Sequence, residues 1–148
     1  MSIIRRQSGT ADGTPRERRL RALIEASSDW LWETDAELRF SYLSANAETA
    51  TGDPPASLIG KRRDELPHIH FEAESYVIYR EALAARTAFR DVAFAVTPPE
   101  GPRRFRKISG MPIFDEAGRF CGYHGIGTDV TAQAEAIARL REIGRAHV

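Results

Sequence analysis

Residues 122–132 read GYHGIGTDVTA, and they join a glycine-rich apolar run to an alanine- and charge-rich helical pattern. The change comes at Asp129 and Thr131. Threonine is a good helix-capping residue, so Thr131 is predicted to cap the exposed amides at the start of the outgoing helix. Asp129 lies near the positive end of the helix dipole and can also pair with a nearby basic group. The stretch therefore predicts a strand-to-helix junction that a few polar bonds hold together.

Upstream of this junction the sequence predicts an antiparallel meander. The strand-like runs FRDVAFAV, RRFRKISGMPIF and RFCGYHGIGTD are separated by the turns TPPEG and DEAG. Earlier, DWLWETD and LRFSYLS alternate as the two strands of a hairpin, with Leu38, Phe40 and Tyr42 on one face. Short helices are expected over residues 46–66 and a longer helix over 72–86. Together these elements predict an α+β fold, a five-stranded antiparallel sheet with helices across one face.

Two further helices are predicted to flank this unit, which spans residues 29–131. The first covers residues 16–28, where Leu20, Leu23 and Ile24 form an apolar stripe, and it follows a flexible basic lead-in over residues 1–15. The second is an outgoing helix, and residues 132–148 are predicted to form its first part. Its apolar series at three- and four-residue spacing is typical of a short coiled coil and comprises Val130, Ala134, Ile137, Leu140 and Ile143.

Composition narrows the function classes. The 148 residues suit one domain, and a formal net charge of zero gives no global field that would attract nucleic acid or an acidic membrane. The single cysteine, Cys121, excludes an internal disulfide and fits a reducing compartment. The chain contains no apolar run long enough to span a membrane and no secretory signal at its N-terminus. We therefore expect a cytoplasmic segment that contacts neither membrane nor nucleic acid.

Three stretches carry a resemblance to a known family. SSDWLWETDAELRFSYLS resembles the opening hairpin of bacterial PAS domains, SLIGKRRDEL resembles their next helix, and ISGMPIFDEAGRFCGYHGIGTDVT resembles their last two strands with the Asp-x-Thr motif. The resemblance covers residues from about Arg19 to Ala132. It implies a non-catalytic sensor, dimeric through its terminal helices, that binds a small ligand between sheet and helices. It also implies that Asp129 and Thr131 relay the state to a following histidine kinase or diguanylate cyclase.

Other functions stay open at this point. A PAS domain can serve only as a structural dimerisation module with an empty cavity, and a small ligand-converting enzyme of similar build is a more remote reading. The sequence holds no phosphate-cradling loop with lysine, no nucleophile elbow and no zinc-protease helix. We therefore expect no catalytic residues.

No cofactor is identified by the sequence, and haem, flavin and metal are not expected. The cysteine motif of flavin-binding light sensors is absent between Asn46 and Gly60, and Gly52 is followed by aspartate where the family often has tyrosine. Haem-binding relatives place an axial histidine on the central helix, and residues 72–86 contain none. His68 and His70 could join His124 and Cys121 in a metal site, but exposed loop histidines explain the pair better.

The resemblance implies, through the family's strand pairing, that the faces that carry Arg106 and Tyr123 point toward the cavity. Arg106 either lies on a solvated strand face or points inward, where it needs a partner such as a ligand anion or Glu33. The aromatic candidates either line the pocket or form core. The predicted pocket residues are Trp32, Tyr42, Tyr76, Tyr79, Phe94, Arg106, Ile108 and Tyr123. The predicted relay residues are Glu33, Asp129 and Thr131.

Overall fold

A computed structural model describes residues 13–146 of the chain. The lead-in predicted over residues 1–15 therefore lies almost wholly outside the described residues. Helix α1, Pro15–Ala26, begins with a capping box in which Thr14 Oγ1 accepts the Glu17 amide at 3.1 Å. Helix α4, Thr131–Ala146, closes the described part of the chain. Within residues 13–146, no helix combines the length and apolar character needed to cross a membrane.

Between the terminal helices lie six strands, two helices and two short 3-10 turns. The hairpin comprises β1, Trp30–Thr34, and β2, Phe40–Leu43. Helix α2, Ala47–Thr51, and the 3-10 turns Pro55–Ser57 and Arg63–Glu65 form a helical crossover. The remaining elements are β3 Ile69–Phe71, α3 Ala73–Ala85, β4 Phe89–Val96, β5 Arg104–Phe114 and β6 Phe120–Asp129.

The strands form one antiparallel sheet in the order β2-β1-β6-β5-β4-β3. The α+β fold predicted from the sequence is confirmed, and the sheet has six strands where five were expected. The extra strand, β3, pairs with β4 at the sheet edge and carries His70, which was expected in a loop. Three residues are too few to show the alternation that identifies a strand, so only the pairing with β4 reveals it.

A bulge in the hairpin corrects the predicted face of Tyr42. Thr34 pairs with Phe40, but the next residue back, Glu33, pairs with Tyr42, so Ser41 is the extra residue between them. Phe40 therefore turns toward the helices and is buried, whereas Tyr42 turns to the opposite face with Glu33. The simple alternation of the sequence had placed Phe40 and Tyr42 together.

The core lies between the sheet and the helical crossover with α3. Trp32, Tyr123, Ile108 and Val92 are the most deeply buried large side chains of the described residues. Tyr123 binds α3 to the sheet, because its hydroxyl lies 2.7 Å from the Thr87 carbonyl oxygen just beyond that helix. The aromatic rings of the core contact one another at centroid distances of 5.0–6.1 Å. These distances are typical of offset-stacked and edge-to-face ring pairs.

Candidate functional site

A cavity of about 430 Å³ lies between the helix-covered face of the sheet and the crossover. Its sheet wall includes Trp30, Phe40, Phe94 and Ile108, and Leu58 of the crossover lies on the opposite wall. The β4–β5 turn, residues 97–103, contributes prolines and Glu100 to the rim. This size and mainly apolar lining are typical of small-molecule sites.

Of the eight predicted pocket residues, three line this cavity: Phe94, Arg106 and Ile108. Trp32, Tyr79 and Tyr123 are buried in the core beside it. Tyr76 is 39% exposed on α3, because it lies on the edge of the helix face that Tyr79 and Ala82 bury. Tyr42 contributes to a separate groove on the other sheet face.

The space above the glycines of β6 is occupied by tryptophan rings. Gly125 and Gly127 pair with Trp32 and Trp30 across β1, and an added Cβ at either glycine would overlap the paired ring. Glycines on a strand can make room either for a ligand or for close packing. They make room for packing, and the cavity is lined by residues of the other five strands and of the crossover but by none of β6.

Arg106 is buried and points inward from β5. Its Nη2 donates to the Thr51 carbonyl oxygen at 2.8 Å, and its Nε lies 3.6 Å from Asp129 Oδ2. Burial lowers the pKa of Arg106, and the nearby carboxylates of Asp129 and Asp53 oppose that effect. The inward option is therefore the observed one, with a protein carboxylate as partner.

Glu33, which was offered as that partner, lies on the other face of the sheet. Strand alternation turns Trp32 and Thr34 toward the core and Glu33 away from it. Its neighbour across β6 is His124, on the same outer groove of about 670 Å³. Asp129 replaces Glu33 as the acid beside Arg106, because it pairs directly with Arg106 across β5 and β6.

Asp129 connects the cavity wall to the outgoing helix. Its carboxylate accepts two hydrogen bonds from Arg104, at 2.9 and 3.2 Å, and one from the Thr131 amide at 3.0 Å. Burial raises the pKa of this carboxyl, but the bonds from Thr131 and the charge of Arg104 outweigh burial and hold the pKa below its usual range. Asp129 is therefore an ionised group shared by Arg104, Arg106 and the first turn of α4.

The Thr131 hydroxyl is not the helix cap that the sequence predicted. It is 3% exposed, and its Oγ1 accepts the Phe105 amide of β5 at 2.8 Å. The Val130 amide donates to the Phe105 carbonyl at 2.8 Å. The helix start is thus bonded to the sheet through Thr131, and it is Asp129 that accepts an amide of the first turn, because the Thr131 hydroxyl is turned toward β5.

Arg63 is a cavity residue that the sequence analysis missed. It is only 6% exposed, and its guanidinium lies over the rings of Trp32 and Phe40 at 4.6 and 4.8 Å. Its neighbour Arg62 is half-exposed and pairs with Asp64 at 3.1 Å. In the sequence the two adjacent arginines look alike, and no local pattern distinguishes the buried one from the exposed one.

The histidines and the cysteine do not converge. His68 lies in the cavity wall, His124 lies on the outer face, and Cys121 is half-buried on β6 outside the cavity lining. In the part of the chain that the structure describes, no three His, Cys, Asp or Glu side chains are grouped as metal ligands would be.

Comparisons with known proteins give a family match and two structural neighbours. A family model described as PAS fold matches residues 24–135. The chain is similar to an RNA-binding light-oxygen-voltage receptor, with a TM-score of 0.63 and 20% identity, covering 85% of this chain but 36% of that one. It is also similar to the light-state dimer of the fungal blue-light photoreceptor Vivid, with a TM-score of 0.58 and 17% identity, covering 68% and 77%. No curated protein matches the sequence. At these identities the two structures show the fold alone.

Proposed function

The chain belongs to the PAS fold family, and we propose that it is a sensor domain that binds a small molecule in the cavity and relays occupancy to α4. One observation carries this proposal. Arg106 lines the cavity, contacts Asp129 at 3.6 Å, and Asp129 in turn holds the Thr131 amide at the start of α4. A ligand that moves Arg106 would change the bonds that hold the helix, which is the kind of local electrostatic switch that such domains need.

The coupling can be tested by breaking it at the cavity end. Arg106→Met puts an unbranched apolar side chain in place of the arginine and removes the contact with Asp129. We expect hydrogen exchange of the first amides of α4 to rise about tenfold, because they lose part of a charge-assisted anchor. Exchange measured by mass spectrometry on α4 peptides reports this directly.

The adjacent residue provides the control. Lys107 lies on the exposed face of β5, so Lys107→Met removes a positive charge from the same strand without touching the cavity. It should leave α4 exchange at the wild-type level. If Arg106→Met left α4 exchange unchanged while the protein stayed folded, the cavity would not be connected to the helix and the proposed relay would fail.

The exposed apolar residues of the two terminal helices favour a second function, dimerisation. Leu20 and Leu23 on α1 and Ile137 and Leu140 on α4 are exposed. We propose that these helices form a homodimer interface, as apolar helix faces do in coiled coils. The light-state dimer of Vivid is an example of a protein of this fold that forms a dimer.

The wider setting of the domain is also a proposal. We propose a non-catalytic, cytoplasmic domain whose output domain follows α4, a histidine kinase or a diguanylate cyclase, with the family resemblance as the support. The expectation that the chain does not bind nucleic acid stays a prediction from its zero net charge, and one structural neighbour is an RNA-binding receptor. In a protein with such an output domain, Asp129→Asn should alter the output.

A further inference from the structure

Arg63 is a buried cation that the protein only partly satisfies. It opens the 3-10 turn Arg63–Glu65 and points into the cavity wall. Within the described residues its guanidinium makes one hydrogen bond, from Nη1 to the Tyr79 hydroxyl at 3.2 Å. The rings of Trp32 and Phe40 cover its guanidinium. A guanidinium has five N–H donors, so most of its hydrogen-bonding capacity is unused.

No carboxylate of the described residues lies within 4.0 Å of the Arg63 guanidinium. The other arginines around the cavity differ in this respect. Arg104 and Arg106 share Asp129, and Arg62 pairs with Asp64. A buried charge without a counter-charge is costly, and cation–π contacts offset only part of that cost. Arg63 is therefore a buried cation of the cavity wall with no acidic side chain of the described residues beside it.

The charges of the cavity wall point to a monoanion. Four cationic side chains line it, Lys61, Arg63, Arg104 and Arg106, against the two carboxylates of Asp53 and Glu100. Asp129, behind the wall, engages Arg104 and Arg106. This leaves one unmatched positive charge, and Arg63 is the buried cation without an acid partner. A planar guanidinium matches a carboxylate through two parallel hydrogen bonds.

We propose that the cavity binds a small carboxylic acid with an apolar body, its carboxylate on Arg63 and its body against Phe40, Leu58 and Ile108. This inference rests on the proposed sensor function and names the ligand class of the same cavity. It replaces Arg106 with Arg63 as the anchor of the acid, because Arg106 already has Asp129 as its partner. Arg106 then serves as the contact that transmits occupancy toward α4.

The test uses matched pairs of acids and their neutral amides on the purified domain. Benzoate, 3-phenylpropionate and hexanoate are each compared with the corresponding amide by titration calorimetry, and phenyl phosphate is included to separate a carboxylate site from a phosphate site. In the wild-type domain at least one acid should bind about tenfold or more tightly than its amide, and more tightly than phenyl phosphate.

Variants assign that preference to one side chain. Arg63→Gln should abolish the preference for acid over amide, and Arg63→Lys should retain part of it, since it keeps the charge without the planar fork. Arg62→Gln is the matched control, because it removes the neighbouring arginine from an exposed ion pair and should leave the preference unchanged. Melting curves without added compound show whether each variant is folded. If Arg63→Gln does not fold, Arg63→Lys tests the assignment, and an undiminished preference for acid over amide in that variant would overturn it.

The outcomes separate this inference from the proposed function. If amides bind as tightly as acids, or if the preference survives Arg63→Gln, the carboxylate assignment is wrong while the cavity still binds small molecules. Tighter binding of phenyl phosphate overturns it in favour of a phosphate ligand. If neither acids nor amides bind, both the ligand class and the proposed ligand-sensing function are overturned.

Discussion

Two glycines of β6 determine where the cavity ends. Gly125 and Gly127 have no side chains, so the rings of Trp32 and Trp30 occupy the space that a Cβ would need. Packing of this kind is dense, and a single added methyl group has nowhere to go. The helix-covered face of β6 is therefore filled by the protein itself, and Arg63 and Arg106, which line the cavity, lie outside this strand.

A pair of glycine substitutions tests this account at the residue scale. The Cβ of Gly125→Ala would overlap the Ser109 carbonyl oxygen and lie 2.6 Å from Trp32 Cζ2, so the free energy of unfolding should fall by about 1–3 kcal/mol. Gly144→Ala is the control. It lies in α4 with nothing within 4 Å, and it should raise helix stability by about 0.5–1 kcal/mol. Urea unfolding measures both, and equal effects of the same sign would contradict the packing explanation.

At the scale of elements, the important connection is that between α4 and the sheet. The helix start is held by side-chain and backbone bonds to β5 and by the carboxylate of Asp129 at the end of β6. Helix ends leave amides without intrahelical partners, and these bonds supply some of the missing ones. The start of the helix is therefore attached to the sheet through a few polar contacts.

Thr131→Val tests this attachment. Valine has the same shape as threonine but cannot accept the Phe105 amide, so we expect a loss of about 1–3 kcal/mol of stability and faster exchange of the Phe105 and first α4 amides. Hydrogen exchange by NMR resolves these positions. Thr128→Val, on β6 three residues earlier and half-buried, is the control and should leave α4 protected. Unchanged protection in Thr131→Val would show that the hydroxyl does not anchor the helix.

At the scale of the whole molecule, both terminal helices present apolar side chains to solvent. Leu23 is 68% exposed on α1 and Leu140 is 67% exposed on α4. Single exposed leucines are ordinary, but a repeated series along a helix is typical of an interface. The apolar spacing recognised in the sequence therefore corresponds to surfaces that the isolated chain leaves uncovered.

Charge substitutions test whether these surfaces assemble. Leu23→Glu and Leu140→Glu should convert a homodimer to a monomer in sedimentation equilibrium, because a carboxylate at an apolar interface loses its hydration without gaining a partner. Val77→Glu is the control, since Val77 is 48% exposed on α3, away from the terminal helices. A wild-type protein that is monomeric at all concentrations, or variants that remain dimeric, would overturn the proposed interface.

The sequence by itself determined the order of helices and strands and the position of the strand-to-helix junction at residues 129–131. These follow from local patterns, because alternation, turn residues and helical spacing act over a few neighbouring residues. The sixth strand escaped this reasoning, since three residues are too few to alternate and β3 exists only through its pairing with β4.

Only the tertiary structure decided which side chains meet. The bulge opposite Glu33 and Thr34 turned Tyr42 away from Phe40, and the pairing of β5 with β6 gave Arg106 the partner Asp129 in place of Glu33. The fold also buried Arg63 without an acid while its neighbour Arg62 stayed at the surface. Side-chain direction depends on register and on residues distant in the chain, and one shifted residue reverses a face, so local sequence cannot fix the contacts of the site.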